Sequence, residues 1–246
     1  MTMQPHIACT KATEAQLVTA AASCITSLAS KAVETHGSCT LALSGGSSPR
    51  KLYNHLARKA VPASSGMPWQ QTQLFWGDER CVPSGAPESN YRMAQKELFD
   101  RIVIPESNIH PMPHVTSNYA QAAERYGEEL AAAFENRMRN DLPLFDIIIL
   151  GLGPDGHTAS LFPGDAMALS EKSAWVTEAT APEAMSPRHR LTLTLPVINN
   201  ANAIVFYVPG KAKKVLAEEI MHGKRPLLPA GMVTPAEGTL HWFISS

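Results

Sequence analysis

The 246-residue chain reads as an α/β fold, a mostly parallel, Rossmann-like sheet with helices on both faces. Three observations predict it. Short apolar runs alternate with segments of helical period, as strands joined by crossover helices do. One run, Phe145–Leu150, holds three consecutive isoleucines, as expected of a strand buried on both sides. Glycine-rich or charged stretches follow several runs, and loops beyond the carboxyl ends of such strands are where these sheets bind ligands. A chain this long buries roughly 70–75% of its unfolded surface in one core. No linker interrupts it, so a single domain over 1–246 is expected.

The elements follow in order. Thr13 and Gln16 have capping-box spacing, and aliphatic residues then recur at helical spacing to Val33, with Gly37 as a stop. Cys39–Leu43 is a short apolar strand. Pro49 stands where a helix begins, and Lys51–Arg58 continues it. Gln73–Trp76 is a strand, followed by a polar loop from Gly77 to Ser89. Asn90–Phe99 is helical, and Ser117 caps a long helix reaching Arg139. After Phe145–Leu150, Leu191–Leu195 alternates leucine and threonine, which suits a half-buried strand. Ala203–Val208 is a strand, Lys211–Met221 a helix after Gly210, and Thr239–Ile244 a last strand. The stretches 60–70, 81–89 and 222–238 are rich in proline and glycine and read as surface connections.

Composition excludes several classes. A hydrophobic fraction of 44% with 17% charged residues fits a globular chain, not a disordered one. A net charge of −1 gives no field to draw in nucleic acid or an anionic membrane, so neither partner is expected. Cys9, Cys24, Cys39 and Cys81 are scattered, with no CxxC and no histidine at zinc spacing, and read as reduced thiols. His110 and His114 are separated by prolines and read as loop residues, so no metal site is expected. The first fifteen residues lack a secretory apolar core. The run Leu142–Leu152 is broken by Pro143, Asp146 and Gly151, well short of the ~20 apolar residues a membrane span needs. The expected location is the cytoplasm. The oligomeric state stays open.

Five segments carry candidate chemistry. Ser44-Gly45-Gly46-Ser47-Ser48-Pro49 lies between a strand and a helix, where glycines let the backbone approach a ligand and the helix start favours an anion. It is neither a Walker A loop nor a nucleophile elbow. Gly77-Asp78-Glu79-Arg80 places three charges at a strand end, costly to bury unless paired. Gly151–Ser160 contains a literal GxGxxG, but Pro163 leaves no room for a long crossover helix, and Asp155 would put a carboxylate against the pyrophosphate. The better reading is a tight turn that aims His157, beside Asp155, into a pocket as a general base. Arg188-His189-Arg190 and Gly210-Lys211-Ala212-Lys213-Lys214 supply cations of the kind a phosphate pocket needs.

Taken together and in order, LALSGGSSPRKLY, WGDERCVP, ESNYRMA, FDIIILGLGPDGHTASLFPG and RLTLT resemble the 6-phosphogluconolactonase family, over roughly residues 40 to 215. The resemblance implies a fold shared with glucosamine-6-phosphate deaminases and ribose-5-phosphate isomerases. It implies hydrolysis of 6-phosphoglucono-δ-lactone to 6-phosphogluconate in the oxidative pentose phosphate pathway, with no cofactor. Carried over by position, it implies His157 as the water-activating base and Asp78 and Arg80 as the acidic and basic members of the charged triplet. It implies Gly45, Gly46 and Ser47 as the phosphate-cradling turn, with Arg190 and Lys213 as phosphate contacts. Ser48 stands where the family commonly has threonine, which keeps the hydroxyl. Arg188 competes with Arg190, and Lys211 and Lys214 with Lys213, for phosphate. Either Asp155 or Asp78 is expected to orient His157. Two alternatives share the fold. A glucosamine-6-phosphate deaminase resembles it but needs a glutamate five residues after the histidine, where this chain has Phe162. A sugar-phosphate sensor would carry a DNA-binding segment, and the N-terminal stretch has no basic cluster.

Overall fold

A computed structural model describes residues 6–58, 66–83 and 85–246. Most of the 60–70 connection, the first five residues and Ser84 lie outside the described residues. From the amino end, β1 (His6–Ala12) leads into α1 (Glu14–His36), β2 (Cys39–Leu43), α2 (Arg50–Leu56), β3 (Thr72–Trp76) and the short β4 (Asp78–Arg80). Then come α3 (Asn90–Glu97), α4 (Tyr119–Ala133), a small hairpin of β5 (Met138–Arg139) and β6 (Leu142–Pro143), and β7 (Ile147–Leu150). The last third holds α5 (Ala166–Ser170), β8 (Val176–Thr180), β9 (His189–Leu193), α6 (Leu195–Asn199), β10 (Ala203–Val208), α7 (Lys214–Met221) and β11 (Thr239–Ser245).

Six strands form one parallel sheet in the order β1-β11-β10-β7-β2-β3. β2, β7 and β10 are buried along their whole length, so both faces of the sheet's middle are covered. Each buried isoleucine of β7 contributes about 1.5–3 kcal/mol by leaving water. From β2 the chain builds outward to β3. From β7 it builds the opposite way, to β10 and β11. The order therefore reverses between β2 and β7, and the crevice beyond their carboxyl ends is where such sheets bind ligands. The glycine turn at Ser44 and the turn carrying His157 both lie there.

A second, antiparallel sheet, β4-β9-β8, attaches at this same end. Gly77 joins the two sheets: its N–H donates to the Leu43 carbonyl, and its own carbonyl accepts from Leu193 N–H, each at 2.9 Å.

Several local expectations change. The polar loop expected from Gly77 contains β4, because Asp78–Arg80 finds a partner strand more than a hundred residues on. The half-buried strand expected at Leu191 starts at His189 and is buried on both faces. β1 and β8 were not expected. β1 is an edge strand with a single large apolar residue, Ile7, and β8 alternates weakly. α4 stops at Ala133, short of Arg139, and Asn140 and Asp141 then turn the chain at positive φ within the β5–β6 hairpin. Its cap position is Asn118, not Ser117, and it makes no side-chain cap bond. Thr13 bonds the Gln16 side chain at 2.8 Å without capping a backbone N–H. Gly37 does stop α1, at φ 84 with its N–H on the Val33 carbonyl.

Candidate active site

The turn after β2 is held from below. The buried Tyr53 hydroxyl donates to the Ser44 carbonyl at 2.8 Å and accepts from Ser44 N–H at 2.9 Å. Gly45 is required by packing, since a Cβ there would lie 1.9 Å from Asn90 Oδ1. Gly46 is required by conformation, at φ 82 with open space around it. Ser47 is exposed beside it. α2 has only seven residues, so its dipole adds little, and the charge for an anion must come from side chains.

β4 and β9 supply that charge. Their register pairs Arg80 with Arg190 and Asp78 with Thr192. Because side chains alternate across a strand, these four residues share one face and Glu79 takes the other. Arg190 is only 5% exposed, yet its Nε and Nη1 have no partner among the described residues. Burial, then repulsion from Arg80, brings its pKa down to about 10. It remains a cation at neutral pH. A buried guanidinium with free donors is costly for the apo fold, and an anionic ligand would relieve that cost. Arg80 places Nη1 on the Glu88 carbonyl at 2.8 Å, and its Nε is buried without a partner among the described residues. Arg188 is exposed and donates to the Ala181 carbonyl, so Arg190 is the buried arginine of the pair.

Glu79 has a structural task. Its carboxylate accepts from the N–H groups of Arg80, Asn90 and Tyr91 and from the Ser89 hydroxyl. Burial still holds its carboxyl above the ordinary range. It clamps the start of α3 to β4.

The turn after β7 presents His157. Gly153 N–H donates to the His157 carbonyl at 2.8 Å, and Gly156 turns the chain at φ 85. A Cβ at Gly153 would lie 2.1 Å from His157 Nδ1, so glycine there makes room for the imidazole. Asp155 Oδ1 lies 2.5 Å from His157 Nδ1 and also accepts the His157 backbone N–H at 3.2 Å. A carboxylate can only accept, so in the neutral imidazole the ring proton sits on Nδ1 and Nε2 keeps its lone pair. Of the two aspartates left open by the sequence, Asp155 is the one on His157. Asp78, 6% exposed, instead accepts from the Ser160 hydroxyl at 2.6 Å and from Asn90 Nδ2 at 3.3 Å. Phe162 packs its ring 4.7 Å from the imidazole and is 3% exposed.

Lys213 ends a short turn, Lys211–Lys213, beyond β10, the strand beside β7. It is half-buried, and burial lowers the pKa of its ammonium group, whereas Lys211 is exposed. The expected residues thus come from the carboxyl ends of β2, β7 and β10 and from β4 and β9. Sequence reasoning missed Tyr53, Asn90, Ser160 and Thr192. All four stand inside the quoted motifs, but nothing local marks them as buried hydrogen-bonding groups. Two cavities, of about 750 and 760 Å³, lie elsewhere, one beside α1 and Trp69 and one between α7 and β11. Neither touches His157 or the two arginines, so chemistry and not volume locates the site. Among the described residues, no three His, Cys, Asp or Glu side chains are grouped to hold a metal ion.

The chain is similar to known proteins along most of its length. A family model described as glucosamine-6-phosphate isomerases/6-phosphogluconolactonase matches residues 12–242. A 6-phosphogluconolactonase of Synechocystis is 40% identical over 230 residues, covering 93% of this chain and 90% of that one. One from Nostoc is 35% identical over 217 residues, covering 87% and 85%. The crystal structure of 6-phosphogluconolactonase from Thermotoga maritima superposes with a TM-score of 0.81 at 29% identity, covering 98% of this chain and all of that one. The chain belongs to the glucosamine-6-phosphate isomerase/6-phosphogluconolactonase family.

Proposed function

We propose that this protein hydrolyses 6-phosphoglucono-δ-lactone to 6-phosphogluconate, the lactone-opening step of the oxidative pentose phosphate pathway. One observation carries the reading: the hydrogen-bonded His157–Asp155 pair and the buried, unpaired Arg190 belong to loops and strands at the same end of the sheet. A base with a free lone pair and an anion cradle are what a phosphorylated ester requires.

A δ-lactone is an activated ester, so no covalent nucleophile is needed. Gly45, Gly46, Ser47, Arg190 and Lys213 hold the phosphate and bring the lactone carbonyl to His157. Nε2 takes a proton from water as its oxygen attacks the carbonyl carbon. Arg80 stabilises the oxyanion that forms. The intermediate collapses, the ring C–O bond breaks, and His157 returns the proton to the departing ring oxygen. Asp155 holds the tautomer and stabilises the transient imidazolium, the role an acceptor carboxylate plays on any catalytic histidine. Asp78 acts through Ser160 and Asn90. The step uses no metal or organic cofactor.

The deaminase reading is disfavoured because Phe162, the residue five after His157, is an apolar ring against the imidazole and cannot relay a proton. A cytoplasmic location fits four free cysteines and, among the described residues, no helix long and apolar enough to cross a membrane. Purified protein should open 6-phosphogluconolactone far faster than unphosphorylated gluconolactone, because the phosphate anchors the reacting carbon. Equal rates, after subtracting spontaneous hydrolysis, would remove the phosphate anchor. Ammonia release from glucosamine 6-phosphate would favour the deaminase reading, and no turnover of either would favour a sensor.

A further inference from the structure

We infer that Ser160 is a positioning residue that sets the distance between the base His157 and the arginine cradle, through its hydroxyl on the buried carboxylate of Asp78. The inference rests on the lactonase reading above.

Two contacts and the positions of their partners carry it. Ser160 is 1% exposed and donates its hydroxyl to Asp78 Oδ2 at 2.6 Å. Its backbone N–H donates to Thr192 Oγ1 at 3.3 Å. Thr192 lies two residues beyond Arg190 on β9, and Asp78 two residues before Arg80 on β4. Ser160 itself lies three residues beyond His157. One serine therefore ties the loop of the base to both strands that carry the cations.

The loop needs such a tie. Ala159, between His157 and Ser160, sits at φ 47, a left-handed conformation that a residue with a Cβ keeps only where its surroundings over-determine it. Two bonds flank that strained residue, Thr158 Oγ1 to the Gly151 carbonyl at 2.9 Å and the Ser160–Asp78 bond. The Thr158 bond closes the loop on itself. The Ser160 bonds fix it to the second sheet. Asp78 also reaches the glycine turn: Asn90 Nδ2 donates to the Asp78 carbonyl at 2.8 Å, and the same amide group lies against Gly45. Asp78 is thus the hub from which base, arginines and glycine turn are spaced, and Ser160 is its link to the base. The hydroxyl touches no reacting atom. Its effect is on where Nε2 lies when phosphate is already bound.

That placement separates two kinetic constants. Ser160→Ala removes the donor and leaves Arg80, Arg190 and Lys213 in place. The expected result is a kcat about 10- to 100-fold lower, the loss that follows a displacement of about 1 Å. KM, and inhibition by inorganic phosphate, should stay within about twofold, because phosphate binding is uniform between ground and transition states. Ser160→Thr keeps the hydroxyl and should recover most of kcat. Ser160→Cys, of similar volume but a weak donor, should behave like the alanine variant and serves if that variant fails to fold. Asp78→Ala combined with Ser160→Ala should cost less than the sum of the two singles, since both break one link. A kcat near wild type in both Ser160→Ala and Ser160→Cys would overturn the inference. So would a parallel rise in KM and in the phosphate inhibition constant, which would place Ser160 with the ligand. Wild-type protein without lactone turnover would overturn the reading beneath it, an outcome separable from any failure of the variants.

Discussion

The two ends of the central sheet each bury an arginine region, and they treat it in opposite ways. At the amino end of β7, Arg137 makes a bidentate pair with Asp146, both bonds at 2.8 Å. The same carboxylate accepts from Thr40 N–H at 2.8 Å and from the Thr40 hydroxyl at 3.0 Å, and lies 3.1 Å from His36 Nε2. Burial pushes the Asp146 pKa up, but the Arg137 fork and the Thr40 donors outweigh it and hold it below the ordinary range. At the carboxyl end, Arg190 faces a second arginine and has no ion pair among the described residues, and burial, then that arginine, makes it less basic. The amino end has its charges satisfied by the fold. The carboxyl end leaves donors unsatisfied, and a ligand would complete them. Stability is held at the amino end, and at the carboxyl end some of it is given up for ligand affinity, the trade expected where a site keeps unsatisfied groups for its function.

The comparison breaks most visibly at His157. His157→Asn keeps a polar side chain that the glycine turn accommodates but cannot accept a proton near neutral pH. It should lower kcat about 10²–10⁴-fold, roughly 3–5 kcal/mol in barrier, with an unchanged unfolding midpoint. Near-normal kcat would take histidine out of the mechanism and reduce the carboxyl end to a binding surface.

Asp146→Ala is the opposite case. It strands Arg137 and should cost about 3–5 kcal/mol of stability in chemical denaturation, with kcat of the folded fraction intact. The sign of its pH dependence follows from the depressed pKa. The folded state holds the Asp146 proton less tightly than the unfolded chain does. Its contribution is therefore full above the ordinary aspartate pKa and is lost as pH falls through the lower, folded value. Asp146→Asn should accordingly be less stable at neutral pH and lose less on acidification than wild type. Equal acid slopes would mean that the network does not bear on stability.

Arg190→Met should give the smallest change in free energy and the sharpest contrast. Losing a charged contact to phosphate is worth roughly 1.5–3 kcal/mol, or about 10- to 150-fold in KM with kcat little changed. Stability should hold or rise, because an unpaired buried charge has been removed. A fall in kcat at constant KM would instead place Arg190 at the reacting carbon, and a large loss of stability would make it a structural arginine like Arg137.

Much of this was legible in the residues, and the limits are physical. The three isoleucines of β7 could only be a buried strand. The glycines at 45, 46, 153 and 156 signalled turns, and the structure requires glycine at each through close approach or positive φ. The resemblance carried by the motifs named His157 and the arginines. These are local properties, set by side-chain shape, periodicity and backbone freedom within a few residues. Three matters were decided only by the tertiary structure. Asp-Glu-Arg has the composition of a solvated loop until β9 pairs with it, and that pairing turns Glu79 away from Asp78 and Arg80. Arg188 and Arg190 are indistinguishable by type and neighbourhood, but two residues of strand separate an exposed guanidinium from a buried one. Asp155 and Asp78 are equally plausible partners for an imidazole in sequence, and only the fold sends one to His157 and the other to Ser160. The Asp155–His157 contact is local, two residues apart, but what removes Asp78 from the choice is its bond to Ser160, 82 residues on; that pairing, the β4–β9 pairing and the burial of one strand face are not encoded in the local pattern.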